Sequence, residues 1–250
     1  MSAERRRAIL DALARDGKVV AARLVSELGV SEDTVRRDLR ELAAQGLVQR
    51  VHGGALAPAP QPGSFARRRD SFSAEKAALA QAAVALLDGA RVVLLDGSTT
   101  NLELARRLPR GQALTVLTNS PPIAVCLAEH PSAEVILIGG RLVKDAQVAV
   151  GSAAVELVRS VRVDVCVLGI CALHPETGVT TTDLEEAHLK RAMVHSAADV
   201  IALATSDKLG TASAYVVAPT TELTHLVADA GAPDELLDPF RAAGVTVTRA

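Results

Sequence analysis

The chain changes its pattern near residue 60, and this change constrains the fold more than any other feature. Residues 57–64 read Ala-Pro-Ala-Pro-Gln-Pro-Gly-Ser, which is typical of an exposed, semi-rigid linker. The segment before it is short and helical in pattern. The segment after it alternates β-branched runs with helical stretches, which predicts βα units around a mostly parallel sheet. We therefore expect two domains, at residues 1–57 and 75–250, joined by a linker over residues 58–74.

The two parts differ in charge as well as in pattern. Residues 1–76 carry 14 Lys and Arg against 10 Asp and Glu, a net charge of +4. Residues 77–250 carry 13 Lys and Arg against 19 Asp and Glu, a net charge of −6. A basic N-terminal part on an acidic body favours a head that binds an anion such as nucleic acid.

Aromatic residues are scarce, at 2% of the 250 residues. This scarcity argues against domains that stack unpaired bases on aromatic rings, such as RRM and OB folds, and against an aromatic platform for sugars. It leaves the recognition of duplex DNA open, because arginine-led contacts to a groove need no aromatic ring.

The cysteines and the N-terminus indicate a cytoplasmic protein without a metal or cofactor. Cys126, Cys166 and Cys171 form no Cys-x-x-Cys motif, so we expect reduced thiols and no zinc. The N-terminus leads into an amphipathic segment and not into the apolar core of a signal peptide. No run of 18 apolar residues occurs that would span a membrane.

The N-terminal segment predicts three helices with a tight turn before the third. The first helix ends at Asp16-Gly17, and the second covers about residues 21–28 and stops at Gly29. Ser31 is a suitable N-cap for the third helix. Apolar residues at helical spacing predict the buried face of that helix: Val35, Leu39 and Leu42.

The rest of the third helix carries the polar and cationic side chains that a helix in the major groove needs. Residues 47–54 then predict a short strand and a glycine turn, which would form a wing. The candidate DNA-binding residues are Ser31, Thr34, Arg36, Arg37, Arg40, Arg50 and His52. Spacing alone leaves open a three-helix packing unit whose arginines are merely solvated.

The C-terminal segment predicts five strands that each end in glycine or polar residues. They cover about residues 91–96, 114–117, 135–138, 163–168 and 200–203. Because the carboxyl ends of parallel strands meet at one edge of a sheet, these turns predict a small-molecule site there. The turn Gly97-Ser98-Thr99-Thr100 has the composition of a phosphate cradle, and an ordinary helix cap by Ser98 or Thr99 explains it equally well.

Two of the five lysines stand at informative positions. Lys190 follows Glu186 at a spacing of four on a predicted helix over residues 183–198, so the simplest interpretation is a surface ion pair. Lys208 lies just past the end of a predicted strand, where an ammonium group could neutralise a phosphate.

An ordered set of motifs resembles DeoR-type bacterial transcriptional regulators over nearly the full chain. In the head these are Val-Ser-Glu-Asp-Thr-Val-Arg-Arg-Asp-Leu (30–39) and Gly-Leu-Val-Gln-Arg-Val-His-Gly-Gly-Ala (46–55). Beyond the linker they are Ser64-Phe65-Ala66-Arg67, Asp96-Gly97-Ser98-Thr99-Thr100, Leu114-Thr115-Val116-Leu117-Thr118-Asn119-Ser120, Gly139-Gly140, Glu186-Ala187-x-x-Lys190 and Asp207-Lys208-x-Gly210.

The resemblance implies an α/β protein with an N-terminal winged helix-turn-helix and a C-terminal, mostly parallel-sheet domain resembling ribose-5-phosphate isomerase. It implies a homo-oligomer that binds a double-stranded DNA operator and represses a carbohydrate-catabolic operon. It also implies that a phosphorylated sugar or polyol binds as the effector. Lys208 and the turn at residues 96–100 would then contact phosphate, whereas Glu186 and Lys190 would contact sugar hydroxyls. The implied effector-binding residues are Asp96, Gly97, Ser98, Thr99, Thr100, Thr118, Asn119, Ser120, Gly140, Glu186, Lys190 and Lys208.

One departure from the family pattern concerns the effector. Relatives often have Ala-Asp-Ser-Ser-Lys, whereas residues 204–208 read Ala-Thr-Ser-Asp-Lys and so lack the first carboxylate and gain a later one. This change bears on the sugar part of the effector more than on its phosphate.

A second hypothesis is a phosphosugar isomerase with an appended DNA-binding head. Isomerisation needs a carboxylate base and a proton shuttle, and suitable groups cluster near one helix start: Asp183, Glu185, Glu186 and His188. Carboxylates in the first turn of a helix are also typical of an exposed helix start, where the helix dipole favours them.

Overall fold

The computed structural model describes residues 2–60 and 63–250, so residues 61–62 of the predicted linker lie outside the described chain. The N-terminal part, here called the head, contains three helices and three short strands. They are α1 (Ser2–Asp16), β1 (Lys18–Val20), α2 (Ala21–Leu28), α3 (Glu32–Ala44), β2 (Gln49–Val51) and β3 (Gly54–Pro58). The predicted three helices and the wing, which β2 and β3 form as an antiparallel pair, are confirmed.

Local chemistry explains the turn between α2 and α3. Gly29 ends α2 in the left-handed conformation with φ 62°, and its N–H donates to the carbonyl of Val25 at 3.1 Å. Ser31 is the N-cap of α3 and accepts a hydrogen bond from the N–H of Thr34 at 3.3 Å. The predicted inner face of α3 is buried, with Ile9 of α1 and Leu24 of α2 in the same core: Val35, Leu39 and Leu42.

Strand β1, which the sequence did not predict, pairs with β3, and at the start of β3 the two backbones come so close that only glycine fits. A Cβ atom on Gly54 would lie 1.9 Å from the carbonyl oxygen of Val19. The sheet of the head therefore depends on a glycine at the start of β3.

The remaining residues, here called the body, alternate strands and helices. The elements are α4 (Phe65–Asp70), α5 (Ser73–Val84), β4 (Val92–Leu95), α6 (Thr99–Ala105), β5 (Leu114–Thr118), α7 (Pro121–Leu127), β6 (Ala133–Leu137), β7 (Arg141–Val143), β8 (Val148–Val150), α8 (Ser152–Arg159), β9 (Val163–Gly169), β10 (Ala172–His174), β11 (Gly178–Thr181), α9 (Leu184–Ser196), β12 (Ala197–Ala204), β13 (Thr211–Ala212), β14 (Tyr215–Ala218), β15 (His225–Ala228), α10 (Asp234–Ala242) and β16 (Thr246–Arg249).

Seven strands form one parallel sheet in the order β16-β15-β12-β9-β4-β5-β6. The chain runs from β4 outward to β6 and then returns to β9, from which it proceeds toward the other edge. The strand order therefore reverses between β4 and β9, and open α/β sheets bind their ligands at such a point. The predicted α/β class and all five predicted strands are confirmed, while β15 and β16 lengthen the sheet.

Helices cover both faces of this sheet, which explains why its strands are apolar on both sides. Val93 and Leu95 pack in a core with α5, α6 and α7, whereas Leu94 packs in a second core with α8, α9 and α10. The hairpin β7–β8 and the antiparallel sheet β10-β11-β14 are smaller additions. Among the described helices, none combines the length and the apolar character needed to cross a membrane.

The start of the proline-rich segment is part of a sheet that joins head and body. Ala57 pairs with Thr211 and Pro58 with Ala212 in a parallel ladder, and the N–H of Ala59 donates to the carbonyl of Ala212 at 3.0 Å. The expectation of an exposed linker from residue 57 is wrong here, because β3 continues past the wing to bond with β13. The domain boundaries themselves stay a prediction.

Candidate functional site

A buried ion pair lies where the strand order reverses. Asp96, which follows β4, is 1% exposed, and Lys190 of α9 is 5% exposed. The ammonium of Lys190 donates to the Asp96 carboxylate and, at 2.8 Å, to the carbonyl of Gly169 at the end of β9. The same carboxylate accepts a hydrogen bond from the N–H of Gly169 at 2.8 Å. One ion pair thus joins the ends of β4 and β9 to α9.

The interpretation of Lys190 as a surface partner of Glu186 is wrong. Its ammonium points into the body because Asp96, which is distant in sequence, supplies the paired carboxylate. Burial by itself disfavours the charge, but the carboxylates of Asp96 and Glu186 outweigh it and raise the pKa of Lys190. Lys190 is therefore charged at neutral pH.

Glu186 lies beside this pair on the first turn of α9. Burial raises the pKa of Glu186, the nearby Lys190 opposes that shift, and Asp96 adds to it. Its carboxylate accepts a hydrogen bond from the hydroxyl of Thr181 at 3.4 Å. Glu186 is therefore a carboxyl group held close to an anion and a cation at the edge of the sheet.

Two asparagines connect the strand ends through their amides. Asn119, after β5, accepts the N–H of Gly97 on its Oδ1 atom at 2.9 Å. Asn101 donates from Nδ2 to the carbonyls of Asp96 at 2.7 Å and Val167 at 2.8 Å. These bonds fix the positions of the turns that follow β4, β5 and β9.

The turn after β4 serves as a helix cap. The hydroxyl of Ser98 accepts the N–H of Asn101 at 2.9 Å, so the helix-cap interpretation applies to Ser98 and not to Thr99. Thr99 and Thr100 are buried beside it. The hydroxyl of Thr100 has no hydrogen-bond partner, and helix capping does not explain it.

Unpartnered polar atoms concentrate at this edge of the sheet. Within residues 2–60 and 63–250, the buried side-chain atoms without a hydrogen-bond partner all follow the ends of β4, β5 and β12: Thr100 Oγ1, Asn101 Oδ1, Ser120 Oγ, Thr205 Oγ1 and Asp207 Oδ1. Each such atom costs about 1–3 kcal/mol if nothing binds it. Their concentration indicates a place for a polar ligand.

Cationic side chains stand over the same edge. Lys208 is half-buried, and burial lowers its pKa. The charge of Asp207 opposes this decrease, whereas the charge of Arg68 adds to it. In the described chain the ammonium of Lys208 forms no hydrogen bond or ion pair. The site thus contains a cation without a paired anion.

The sequence did not predict a structural role for Lys76, which is a further buried cation of the body. The buried ammonium of Lys76 donates to the carbonyls of Arg68 and Ser71. Burial lowers the pKa of Lys76 to about 8, and the charge of Lys208 adds to that shift. The available signal was a lysine at helical spacing on the apolar face of α5, with Leu79, Ala80 and Ala83.

Two other predicted residues have different surroundings. The hydroxyl of Thr118 accepts the N–H of Ser120 at 3.1 Å and so shapes the turn after β5. Gly140 is exposed beside β8, where a Cβ would lie 2.4 Å from the carbonyl oxygen of Val150. The structure places Gly140 against Val150 of the hairpin β7–β8.

The four residues that the isomerase hypothesis would use, Asp183, Glu185, Glu186 and His188, do not form one site. The carboxylate of Asp183 caps α9 by accepting the N–H of Glu186 at 2.9 Å. Glu185 and His188 line a separate cavity of about 540 Å³ between α8 and α9. No group of three or more His, Cys, Asp or Glu residues in the described ranges is arranged to hold a metal ion.

The head presents a second candidate surface, formed by α3 and the wing. Arg37 and Arg40 of α3 and Arg50 of the wing are exposed, and within the described chain their side chains form no hydrogen bond or ion pair. His52 is exposed in the turn of the wing. By contrast, Arg36 bonds to Glu32 at 2.6 Å.

Two arginines of α1 link this helix to α3. Arg5 of α1 bonds to the buried carboxylate of Asp38 on α3, and Arg6 bonds to Glu41 at 2.8 Å. Arg37, Arg40 and Arg50 take part in none of these ion pairs, as both the DNA-binding prediction and the alternative of merely solvated arginines expect.

Removing one member of the buried pair is expected to destabilise the body strongly. Asp96→Asn leaves the ammonium of Lys190 buried without its carboxylate, and we expect the free energy of unfolding to fall by about 3–5 kcal/mol. The double variant Asp96→Asn/Lys190→Met is expected to lose less than the sum of the two single variants, as measured by urea unfolding. Asp234→Asn, in an exposed ion pair with Arg241, is the control and should cost far less. Additive losses would contradict a direct Asp96–Lys190 interaction.

Comparisons with known proteins cover both parts of the chain. Residues 5–61 match the family model described as a DeoR-like helix-turn-helix domain, and residues 71–230 match the DeoR C terminal sensor domain. A Haloferax volcanii protein named HTH-type transcriptional regulator GlpR is 36% identical over 99% of this chain and 97% of its own length. The HTH-type transcriptional repressor GlcR of Bacillus subtilis is 35% identical over 90% of this chain and 88% of its own.

Among solved structures, the chain is similar to ribose-5-phosphate isomerase A from Methanocaldococcus jannaschii. The TM-score is 0.39 at 14% identity, over 55% of each chain. This similarity supports no functional argument, whereas the two family matches and the full-length relatives do. The chain belongs to the DeoR family of helix-turn-helix transcriptional regulators.

Proposed function

We propose that the protein represses a carbohydrate-catabolic operon and releases its DNA operator when a phosphorylated sugar or polyol binds at the carboxyl edge of the sheet. The observation that carries this proposal is the group of buried, unpartnered polar atoms beside the unpaired ammonium of Lys208. A ligand with an anionic group and several hydroxyls satisfies both features at once.

The residues at the edge divide into ligand contacts and a scaffold. Lys208 and the hydroxyl of Thr100 contact the phosphate, which needs a cation and hydrogen-bond donors. Glu186 accepts hydrogen bonds from sugar hydroxyls. Asp96 and Lys190 hold the strand ends in place and complete the polar lining of the proposed site. Four further hydroxyl and amide side chains complete the proposed set: Ser98, Thr99, Asn119 and Ser120.

DNA binding is proposed for α3 and the wing. Arg37 and Arg40 enter the major groove and read base edges, because cations without an internal partner lose no ion pair when they bind DNA. Ser31 and Thr34, at the N-terminus of α3, and Arg36 contact the adjacent backbone. The wing places Arg50 and His52 at phosphates or the minor groove.

A short path links the effector site to the wing. The hydroxyl of Thr211 donates to the carbonyl of Lys208 at 2.8 Å, and Thr211 belongs to β13, which pairs with β3. A phosphate that moves Lys208 therefore moves a strand bonded to the wing. The ion pair between Lys18 of β1 and Glu176 of the body offers a second connection.

The protein acts in the cytoplasm as a homo-oligomer that presents two heads to two half-sites of an operator. Two linked heads bind more tightly than one because the second contact is made at a high effective concentration. We propose no catalytic activity, since Asp183 is engaged as a helix cap and Glu185 lines the cavity between α8 and α9, which Glu186 does not line.

Arg37→Ala is expected to weaken specific DNA binding about 5–150-fold, because a base contact by arginine contributes about 1–3 kcal/mol. The measurement is fluorescence anisotropy with a duplex selected from a random pool by the wild-type protein. Arg15→Ala is the control, since Arg15 is exposed at the end of α1 and paired with Asp16 at 2.8 Å. Wild-type binding by Arg37→Ala would remove α3 from the recognition role.

A phosphorylated compound is expected to release this duplex, whereas its unphosphorylated counterpart is not. We expect the DNA affinity of the full-length protein to fall by about 5–150-fold, the usual range of coupling between two sites. The panel pairs phosphorylated sugars and polyols with their free forms, and Lys208→Gln should bind DNA normally but respond weakly.

Two results would contradict this account of the effector site. One is release by free sugars alone or by no member of the panel. The other is aldose–ketose turnover of a phosphosugar by the same preparation, which would support the isomerase hypothesis instead.

A further inference from the structure

We propose that two copies of this chain associate through the exposed side of α8 and α9, so that the two helices of one copy pack against the same two helices of the other across a twofold axis. This inference rests on the proposed function, which calls for a homo-oligomer, and adds to it the surface that joins the copies. We call this surface the α8–α9 face, and its members are Val155, Glu156 and Arg159 of α8 with Glu185, His188 and His195 of α9.

The α8–α9 face contains a groove between the two helices. The groove has a volume of about 540 Å³, and Arg159, His188 and His195 on its walls are exposed. The other side of α9 is buried and carries Lys190 of the ion pair. Because helices pack by placing side-chain ridges of one helix in the grooves of another, this groove can receive a helix of a second copy.

Most polar side chains of the α8–α9 face have no partner within the chain. In the part of the chain that the structure describes, the side chains of Glu156, Arg159, Glu185 and His188 form no hydrogen bond or ion pair. Such groups lose no internal bond when another protein surface approaches. They are therefore available for contacts between copies.

The order of these charges is complementary to a second copy of the same face. α8 leads into β9 and α9 leads into β12, and Val163 of β9 pairs with Ala197 of β12 in the parallel sheet. The two helices therefore run in the same direction and end at the same edge of the sheet. Arg159 is the last residue of α8, whereas Glu185 lies at the opposite edge, at the start of α9.

A twofold axis perpendicular to the helices reverses this order in the second copy. Glu185 of each copy then faces the end of the partner's helices, where Arg159 lies. The same attractive contact is made twice, which is a property of an interface between identical surfaces. Opposite charges that meet across an interface fix the register of the two partners.

Exposed apolar side chains beside the face add surface that association removes from water. Leu184, Tyr215 and Val216 are large apolar residues that are exposed to solvent. Tyr215 pairs with Thr181, just before α9, and the carbonyl of Val216 accepts a hydrogen bond from Arg191 of α9 at 3.0 Å. An apolar patch next to a rim of charges is typical of a surface that binds another protein.

The test is a charge exchange in the full chain, measured by sedimentation equilibrium over a concentration series. Glu185→Arg and Arg159→Glu each place like charges against each other in both contacts of the pair. Each is expected to raise the dissociation constant of self-association about 10–100-fold. An equimolar mixture of the two variants is expected to associate like wild type. In the mixed pair, the introduced arginine faces the introduced glutamate, and the second contact keeps its native charges.

Glu134→Arg is the matched control and should associate like wild type. Glu134 is an exposed glutamate on β6, the strand at the other end of the seven-stranded sheet, where Leu137 is also exposed. A loss of association in Glu134→Arg, with Glu185→Arg unchanged, would place the interface at β6 and overturn the inference. Circular dichroism checks the fold of each variant, and Glu185→Lys with Arg159→Asp repeats the exchange if either variant departs from wild type.

The outcomes separate this inference from the proposed function. Weakened association of both single variants, with recovery in the mixture, supports the α8–α9 face. Single variants that associate like wild type, or a mixture that stays dissociated, overturn the face and leave the homo-oligomer and the effector site standing. A monomeric wild-type protein overturns the face together with the proposed homo-oligomer, whereas release of DNA by a phosphorylated compound still tests the effector site by itself.

Discussion

The Asp96–Lys190 ion pair is the interaction on which the rest of the body depends. Two buried charges are costly unless each is fully hydrogen-bonded, and here Gly169 supplies both a carbonyl for the ammonium and an N–H for the carboxylate. The pair lies between β4 and β9, where the strand order reverses. It therefore sets the spacing of the turns that form the candidate effector site.

Around this fixed pair, the structure leaves polar groups unsatisfied. Thr100, Ser120 and Thr205 have buried hydroxyls without hydrogen-bond partners. Asn101 and Asn119, in contrast, form hydrogen bonds that hold the turns in place. A rigid frame with unmet hydrogen-bonding capacity is suited to ligand binding, because the frame loses little freedom when the ligand arrives. The same features in a protein with no ligand would only lower its stability.

The ladder between β3 and β13 connects the head to the body by backbone hydrogen bonds. Thr211 is bonded to the backbone of Lys208 on one side and to Ala57 on the other. A ligand changes DNA affinity only if it binds two arrangements of the chain unequally. The ladder is a place where such arrangements can differ, since it consists of only two residue pairs.

Local patterns predicted what depends on local chemistry. The inner face of α3, its Ser31 cap and the strands that end at the sheet edge all follow from spacing within one element. The spacing of four also suggested Glu186 as the partner of Lys190, and this was wrong because the true partner, Asp96, follows another strand.

Long-range pairing explains the other differences. The three-residue strand β1 and the two pairs between β3 and β13 are too short to leave a periodic signal. The bonds of Lys76 to the carbonyls of Arg68 and Ser71 depend on where α4 packs, which no local pattern encodes. Sequence therefore located the sheet edge, while the structure was needed to show what converges on it.

The central claim is that the head and the sheet edge are two sites linked by one conformational equilibrium. Linkage requires that an effector which weakens DNA binding is itself weakened by DNA, and by the same factor. The direct measurement is calorimetric titration of the full-length protein with the releasing phosphorylated compound, with and without saturating operator duplex. We predict that DNA lowers the effector affinity by the factor seen in DNA release. Equal effector affinities in the two titrations would contradict the account.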